Sequence, residues 1–240
     1  MTKNIHHSID GAYQYNAYHT GICFQKSWHQ LKFHFAEKLL NPIANDFILD
    51  AACGSGVLTG LMSREKNATI TGIDFNEASI RFCKKQFKKE NTNFVVKNLN
   101  DLEFENKKFD KIAFLEILEH LQNDEAENIV LNFNKILKPN GYLVLSTPNR
   151  KSFWPFIEYV LDFFKLTPAM KGEQHVKLYK QIDLVELLKV AGFSKITIYK
   201  THFIAPWLSF FGLKFSERVF NLEQKINWLP GSLLFAVAEK

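Results

Sequence analysis

Phe47-Ile48-Leu49-Asp50-Ala51-Ala52-Cys53-Gly54-Ser55-Gly56-Val57-Leu58-Thr59-Gly60 decides how the rest of the chain is read. It opens as a short apolar run that suits a buried strand of a parallel sheet. An acid closes the run, two glycines follow, and then a segment compatible with a helix begins. A strand–glycine-turn–helix unit brings backbone N–H groups and a helix N-terminus close to a ligand. Asp50 bears on which ligand: a carboxylate beside the turn repels a pyrophosphate and attracts an ammonium or a sulfonium. The dinucleotide pattern needs its third glycine at position 59, where this chain has Thr59, with the glycine at Gly60. The turn therefore suits a cationic nucleoside better than NAD.

Ala68-Thr69-Ile70-Thr71-Gly72-Ile73-Asp74 is a second β run ending in an acid, and Phe75 follows it. A carboxylate at the tip of a neighbouring strand can accept both hydroxyls of a ribose, and Phe75 can lie against an adenine. With Asp50-Ala-Ala-Cys-Gly54-Ser-Gly56 and Ile73-Asp74 in place, the chain resembles the class I S-adenosylmethionine-dependent methyltransferases, over roughly residues 28–150. The resemblance implies an α/β Rossmann-like fold: a seven-stranded, mostly parallel sheet with its last strand antiparallel, helices on both faces, and a small, mostly helical cap. It implies S-adenosylmethionine as cofactor, with Asp50, Ala51, Cys53, Gly54 and Gly56 around the methionine part and Asp74 at the ribose. Phe75, Asn98 and Leu99 would stand at the adenine, although Asn98 occupies a position where the family commonly has Asp. Leu115 and Glu116, at the end of the strand Phe109–Leu115, would face the methyl group.

At 240 residues, with 46% hydrophobic residues, the chain suits one large α/β domain. The expectation is a single domain over 1–240, with lid elements from an N-terminal helical cap at 1–42 and an insertion at 151–174. The first 27 residues read as short helices, Trp28–Leu40 as a longer one stopping before Pro42. The net charge of +5 is concentrated in Lys84-Lys85 and Lys88-Lys89, a solvated face rather than a nucleic-acid patch, so no nucleic-acid partner is expected. Three cysteines without metal spacing, and an N-terminus lacking an apolar signal core, suit a reducing cytoplasm.

Glu116-x-x-Glu119-His120 is the sharpest local pattern. Placed on a helix, the three side chains can converge, and two carboxylates with an imidazole suit Mg²⁺. The pattern is similar to that of ubiquinone-pathway O-methyltransferases and of small-RNA 2′-O-methyltransferases, where the ion draws in the acceptor oxygen. His175 stands where the latter family supplies another histidine. Without a metal, Glu116 and His120 would line the reaction centre, and His120 or His175 would be the general base. Two apolar segments, 153–164 and 203–211, with lysines beside them, suggest a greasy acceptor channel or a peripheral membrane contact. The leading expectation is O-methylation of a small apolar acceptor, quinone-like or lipid-like. Rival readings are an RNA 2′-O-methyltransferase using the Glu/His site, an NAD-dependent oxidoreductase, and a non-catalytic nucleoside binder.

Overall fold

The computed structural model describes residues 10–102, 108–153, 176–226 and 228–240. Seven strands form one sheet: β1 (Phe47–Ala51), β2 (Thr69–Asp74), β3 (Thr92–Val96), β4 (Phe109–Leu115), β5 (Leu137–Pro148), β6 (Ser194–Thr201) and β7 (Leu233–Glu239). Their spatial order is β3-β2-β1-β4-β5-β7-β6. Strands β1 to β5 pair in parallel, whereas β7 runs antiparallel to both β5 and β6. The expected sheet is therefore present. Its order reverses between β1 and β4, and crevices at such a switch point open at the carboxyl ends of the strands.

Seven α-helices are described: α1 (Tyr13–His19), α2 (Cys23–Leu40), α3 (Val57–Met62), α4 (Glu77–Gln86), α5 (Asn123–Ile136), α6 (Gln181–Val190) and α7 (Leu213–Glu223). The strands alternate strictly. Leu49, Ile112, Phe114, Leu143 and Leu145 pack with Phe133 of α5 and Leu184 and Leu188 of α6. Ile48, Ala113, Val144 and Phe235 pack on the other face with Phe35 of α2, Leu58 of α3 and Phe220 of α7. Both faces of the central strands are thus dry, which is why those strands read as unbroken apolar runs. Asn76 caps α4 by accepting from the backbone N–H of Ala78 and Ser79, a contact of about 1 kcal/mol.

Several boundaries differ from the sequence expectations. Helix α2 starts at Cys23 rather than Trp28, so among the described residues only α1 remains as a short N-terminal helix. Lys88 and Lys89 lie beyond the end of α4, and Lys89 Nζ donates to Ser63 Oγ at 2.8 Å. Strand β5 begins directly where α5 ends, at Leu137, which already pairs with Phe109 across a register shift. The apolar segment near 203–211 forms a 3-10 helix, Ala205–Phe211. The expected lid insertion falls almost wholly outside the described residues. Among the described residues no helix is long and apolar enough to cross a membrane.

Candidate functional site

The chain leaves β1 through a turn that ordinary residues resist. Ala52 (φ 59°), Gly54 (φ 52°) and Gly56 (φ 74°) all have left-handed backbones, a conformation costing a non-glycine residue roughly 1–2 kcal/mol. The tip of β2 holds the turn in place. Cys53 N donates to Ile73 O at 2.8 Å, and Gly54 N donates to Asp74 Oδ2 at 2.8 Å. Asp74 Oδ1 accepts from Asn76 N at 2.8 Å. A Cβ on Gly56 would lie 2.8 Å from Cys83 Sγ, so α4 closes the turn from behind. The thiol of Cys53 is raised well above its ordinary pKa by its hydrogen bond with Cys83 and by burial, which leaves it a packing group.

Asp50 is 4% exposed, and its Oδ2 accepts from Thr59 Oγ1 of α3 at 2.6 Å. One face of the acid is thus turned to the helix that follows the turn. Burial pushes its pKa up to about 6, against the pull of the Thr59 hydrogen bonds, and the nearby charge of Asp74 adds to the rise. Among the described residues no cation pairs with Asp50. A buried acid held this far above its usual range is stabilised by any positive charge brought beside it.

Ala51, Cys53, Gly54 and Gly56 gather with Asp50 and Asp74 at the β1 and β2 tips. The remaining cofactor candidates are more scattered. Phe75 follows Asp74 and is 38% exposed. Asn98 caps a short 3-10 helix by accepting from Asn100 N at 3.0 Å. Leu99 and Leu115 pack against opposite apolar clusters. Helix α1 lies across the turn: Tyr15 N donates to Ser55 Oγ at 2.7 Å, and a Cβ on Gly54 would lie 2.4 Å from Gln14 Oε1. A cavity of about 190 Å³ opens between α2 and α7, not at the strand tips.

The Glu/His pattern folds differently from expectation. Glu116 has a left-handed backbone (φ 52°) and donates its N–H to Ser146 O at 2.9 Å, so no helix runs through it. Only Leu118–His120 form a turn of 3-10 helix. Glu116 pairs with Lys32 Nζ of α2. Glu119 instead is 1% exposed and accepts from Thr147 Oγ1 at 3.0 Å, with His120 Nε2 4.0 Å from its other oxygen. Two acids with separate protein partners do not form one ligand set, and among the described residues no group of three His, Cys, Asp or Glu could hold an ion. The fold therefore does not bring Glu116, Glu119 and His120 together as the expected Mg²⁺ site. His175 lies outside the described residues.

Three residues around Glu116 escaped the sequence reading. Lys32 is 2% exposed. Burial would raise the Glu116 carboxyl, but the Lys32 charge and hydrogen bond, with smaller help from His29 and His202, bring it below its usual range. His202 is fully buried between Thr201 Oγ1 (2.8 Å from Nδ1) and Trp28 O (3.2 Å from Nε2). The carbonyl can only accept, so the ring carries a hydrogen on Nε2, and burial, which lowers its pKa to about 4, keeps it neutral. Lys32 had a legible signal, a lysine four residues after Trp28 on the apolar stripe of α2.

A family described as "Methyltransferase domain" matches residues 48–141, the stretch from β1 into β5. A ubiquinone biosynthesis O-methyltransferase of Pasteurella multocida is 29% identical over 74% of this chain and 79% of its own length. A probable S-adenosylmethionine-dependent methyltransferase of Mycolicibacterium smegmatis is 26% identical over 72% of this chain and 62% of its own. In fold, a methyltransferase of Archaeoglobus fulgidus superposes with a TM-score of 0.64 at 17% identity, over 96% of this chain and 100% of that one. With that match, those relatives and this sheet, residues 48–141 carry a methyltransferase domain on a class I fold, and the chain is similar to S-adenosylmethionine-dependent methyltransferases, the ubiquinone O-methyltransferases among them.

Proposed function

We propose that this chain methylates an oxygen of a small apolar acceptor, quinone-like or lipid-like, in a cytoplasmic setting. The observation that carries the cofactor half of this reading is Asp50, an acid with no cationic partner among the described residues, beneath a glycine turn tied to a second acid, Asp74. S-adenosylmethionine, when bound, supplies a methyl group on a positively charged sulfur. In this reading Asp50 stabilises that ligand's cationic end through the field of its carboxylate. Asp74 takes the ribose, and the Gly54–Gly56 turn gives the backbone close approach. Phe75 covers the adenine and Asn98 meets its edge, while Leu115 and Glu116 bound the reaction centre. Alignment of the acceptor oxygen with the methyl carbon is the main contribution asked of the protein.

The acceptor half rests on the curated relatives and on the apolar ground beside the site. Trp207, Phe210, Phe211 and Phe215 are 43–78% exposed, with Lys214 and Arg218 among them. A surface of this composition suits an acceptor with an apolar tail, or the edge of a bilayer that carries one. Calorimetric titration with S-adenosylhomocysteine and with NADH, followed by turnover on phenols, quinols and lipid extracts, tests the proposal. Binding of S-adenosylhomocysteine in the micromolar range with O-methylated product is expected. Binding of NADH alone would refute it.

A further inference from the structure

Two buried polar atoms at one corner of the sheet have no protein partner among the described residues: His29 Nδ1 and Ser146 Oγ. Buried polar atoms are almost always hydrogen-bonded, so an orphan calls for an explanation. Ser146 lies at the carboxyl end of β5, in register with Leu115. It falls on the same face as Val144, the face that α2 covers. His29 is one turn before Lys32 on α2, and its ring is bounded by Tyr13 of α1 (6.5 Å between centroids) and Phe33 (6.0 Å). Tyr13 adjoins Gln14, which lies against Gly54. The orphan imidazole therefore sits between the glycine turn and the Lys32–Glu116 pair, at the switch point of the sheet.

We propose that His29 and Lys32 receive the acceptor's hydroxyl, the O–H donating to His29 Nδ1 while the oxygen accepts from Lys32 Nζ. Lys32 has three N–H donors and gives one to Glu116. Burial, then the charge of Lys32, lowers the His29 pKa to about 3, with Glu116 acting the other way and His202 adding to the fall. The imidazole is thus neutral at physiological pH, and its Nε2–H tautomer offers a lone pair at Nδ1. As the oxygen–methyl bond forms and the carbon–sulfur bond breaks, the bonding pair stays on sulfur and the hydroxyl proton passes to His29. Lys32 orients the oxygen through its N–H, and Glu116 faces the imidazolium that results. An amine acceptor that arrives as an ammonium is repelled by the same lysine. This inference rests on the methyltransferase reading and adds the residues that handle the acceptor.

The test uses 4-cresol and 4-methylanisole, which share a ring and differ in whether the oxygen carries a hydrogen or a methyl, titrated at pH 7 against the full chain saturated with S-adenosylhomocysteine. Wild type is expected to bind the phenol at least tenfold tighter than the anisole. His29→Phe keeps the ring and its packing but loses the nitrogen, and is expected to abolish that preference while S-adenosylhomocysteine affinity stays within twofold. His29→Asn, whose Oδ1 can stand in for Nδ1, is expected to restore part of it. Equal binding of the two probes by wild type, or a preference that survives in His29→Phe, overturns the proposal. Failure of wild type to bind S-adenosylhomocysteine overturns the methyltransferase reading itself, and this site with it.

Discussion

Replacing Lys32 by Met keeps the aliphatic stem and deletes the ammonium, leaving Glu116 without its partner. Lys32 is 2% exposed and Glu116 22%, so the lysine is wholly desolvated while the acid keeps some access to water. Breaking a buried pair costs about 3–5 kcal/mol; the residual hydration of Glu116 puts this one at the low end, about 3 kcal/mol. With a urea slope of about 3 kcal/mol/M for a chain of this size, the midpoint should fall by about 1 M. Adding Glu116→Gln removes the stranded charge, and the double variant should recover to within about 1 kcal/mol of wild type. The pH dependence has a definite sign. A carboxyl held below its usual range stabilises the fold above its unfolded pKa, 4.5 here, and loses that contribution as pH falls through the lower folded value. The gap between wild type and Glu116→Gln should therefore be full at pH 7 and close as the medium is taken below pH 4. Urea titrations followed by far-UV circular dichroism at both pH values measure all of this. A Lys32→Met midpoint within 0.2 M of wild type, or a double variant no better than the single one, would show that the pair does not fasten α2 to β4.

Asp50 predicts the opposite slope. Its pKa, raised from 3.8 to about 6, means that stability falls by about 3 kcal/mol as pH rises from below 4 to above 6. Asp50→Asn should flatten this part of the curve in thermal melts across that range. Because the α-ammonium of S-adenosylhomocysteine favours the ionised acid, affinity for that ligand should also weaken below pH 6, by up to tenfold per unit, and calorimetry at pH 5 and 7 reads it directly. Gly56→Ala forces a Cβ to within 2.8 Å of Cys83 Sγ at a φ of 74°. It should cost about 2–4 kcal/mol by urea unfolding and reduce S-adenosylhomocysteine affinity as well. EDTA should leave acceptor turnover unchanged, since Glu116 and Glu119 are engaged with Lys32 and Thr147; loss of turnover restored by Mg²⁺ would reinstate the metal site.

The glycine turn, the two acids and the apolar strand runs were legible because each is a local pattern. Left-handed backbone at Gly54 and Gly56 needs glycine wherever the turn occurs, and dry parallel strands need apolar runs on both faces. Through the family resemblance that these motifs carry, the sheet and the direction of its strands were expected. The fate of Glu116, Glu119 and His120 was not local. Their spacing allows convergence on a helix, but a hydrogen bond from Glu116 N to Ser146 carries Glu116 along β5 as β4 ends. Lys32, 84 residues away in sequence, then meets its carboxylate. Which charges neutralise one another, and which buried nitrogen is left without a partner, depends on how α2 packs across the strand tips. No spacing within one segment encodes that, because the contact exists only once distant parts of the chain share the same desolvated space.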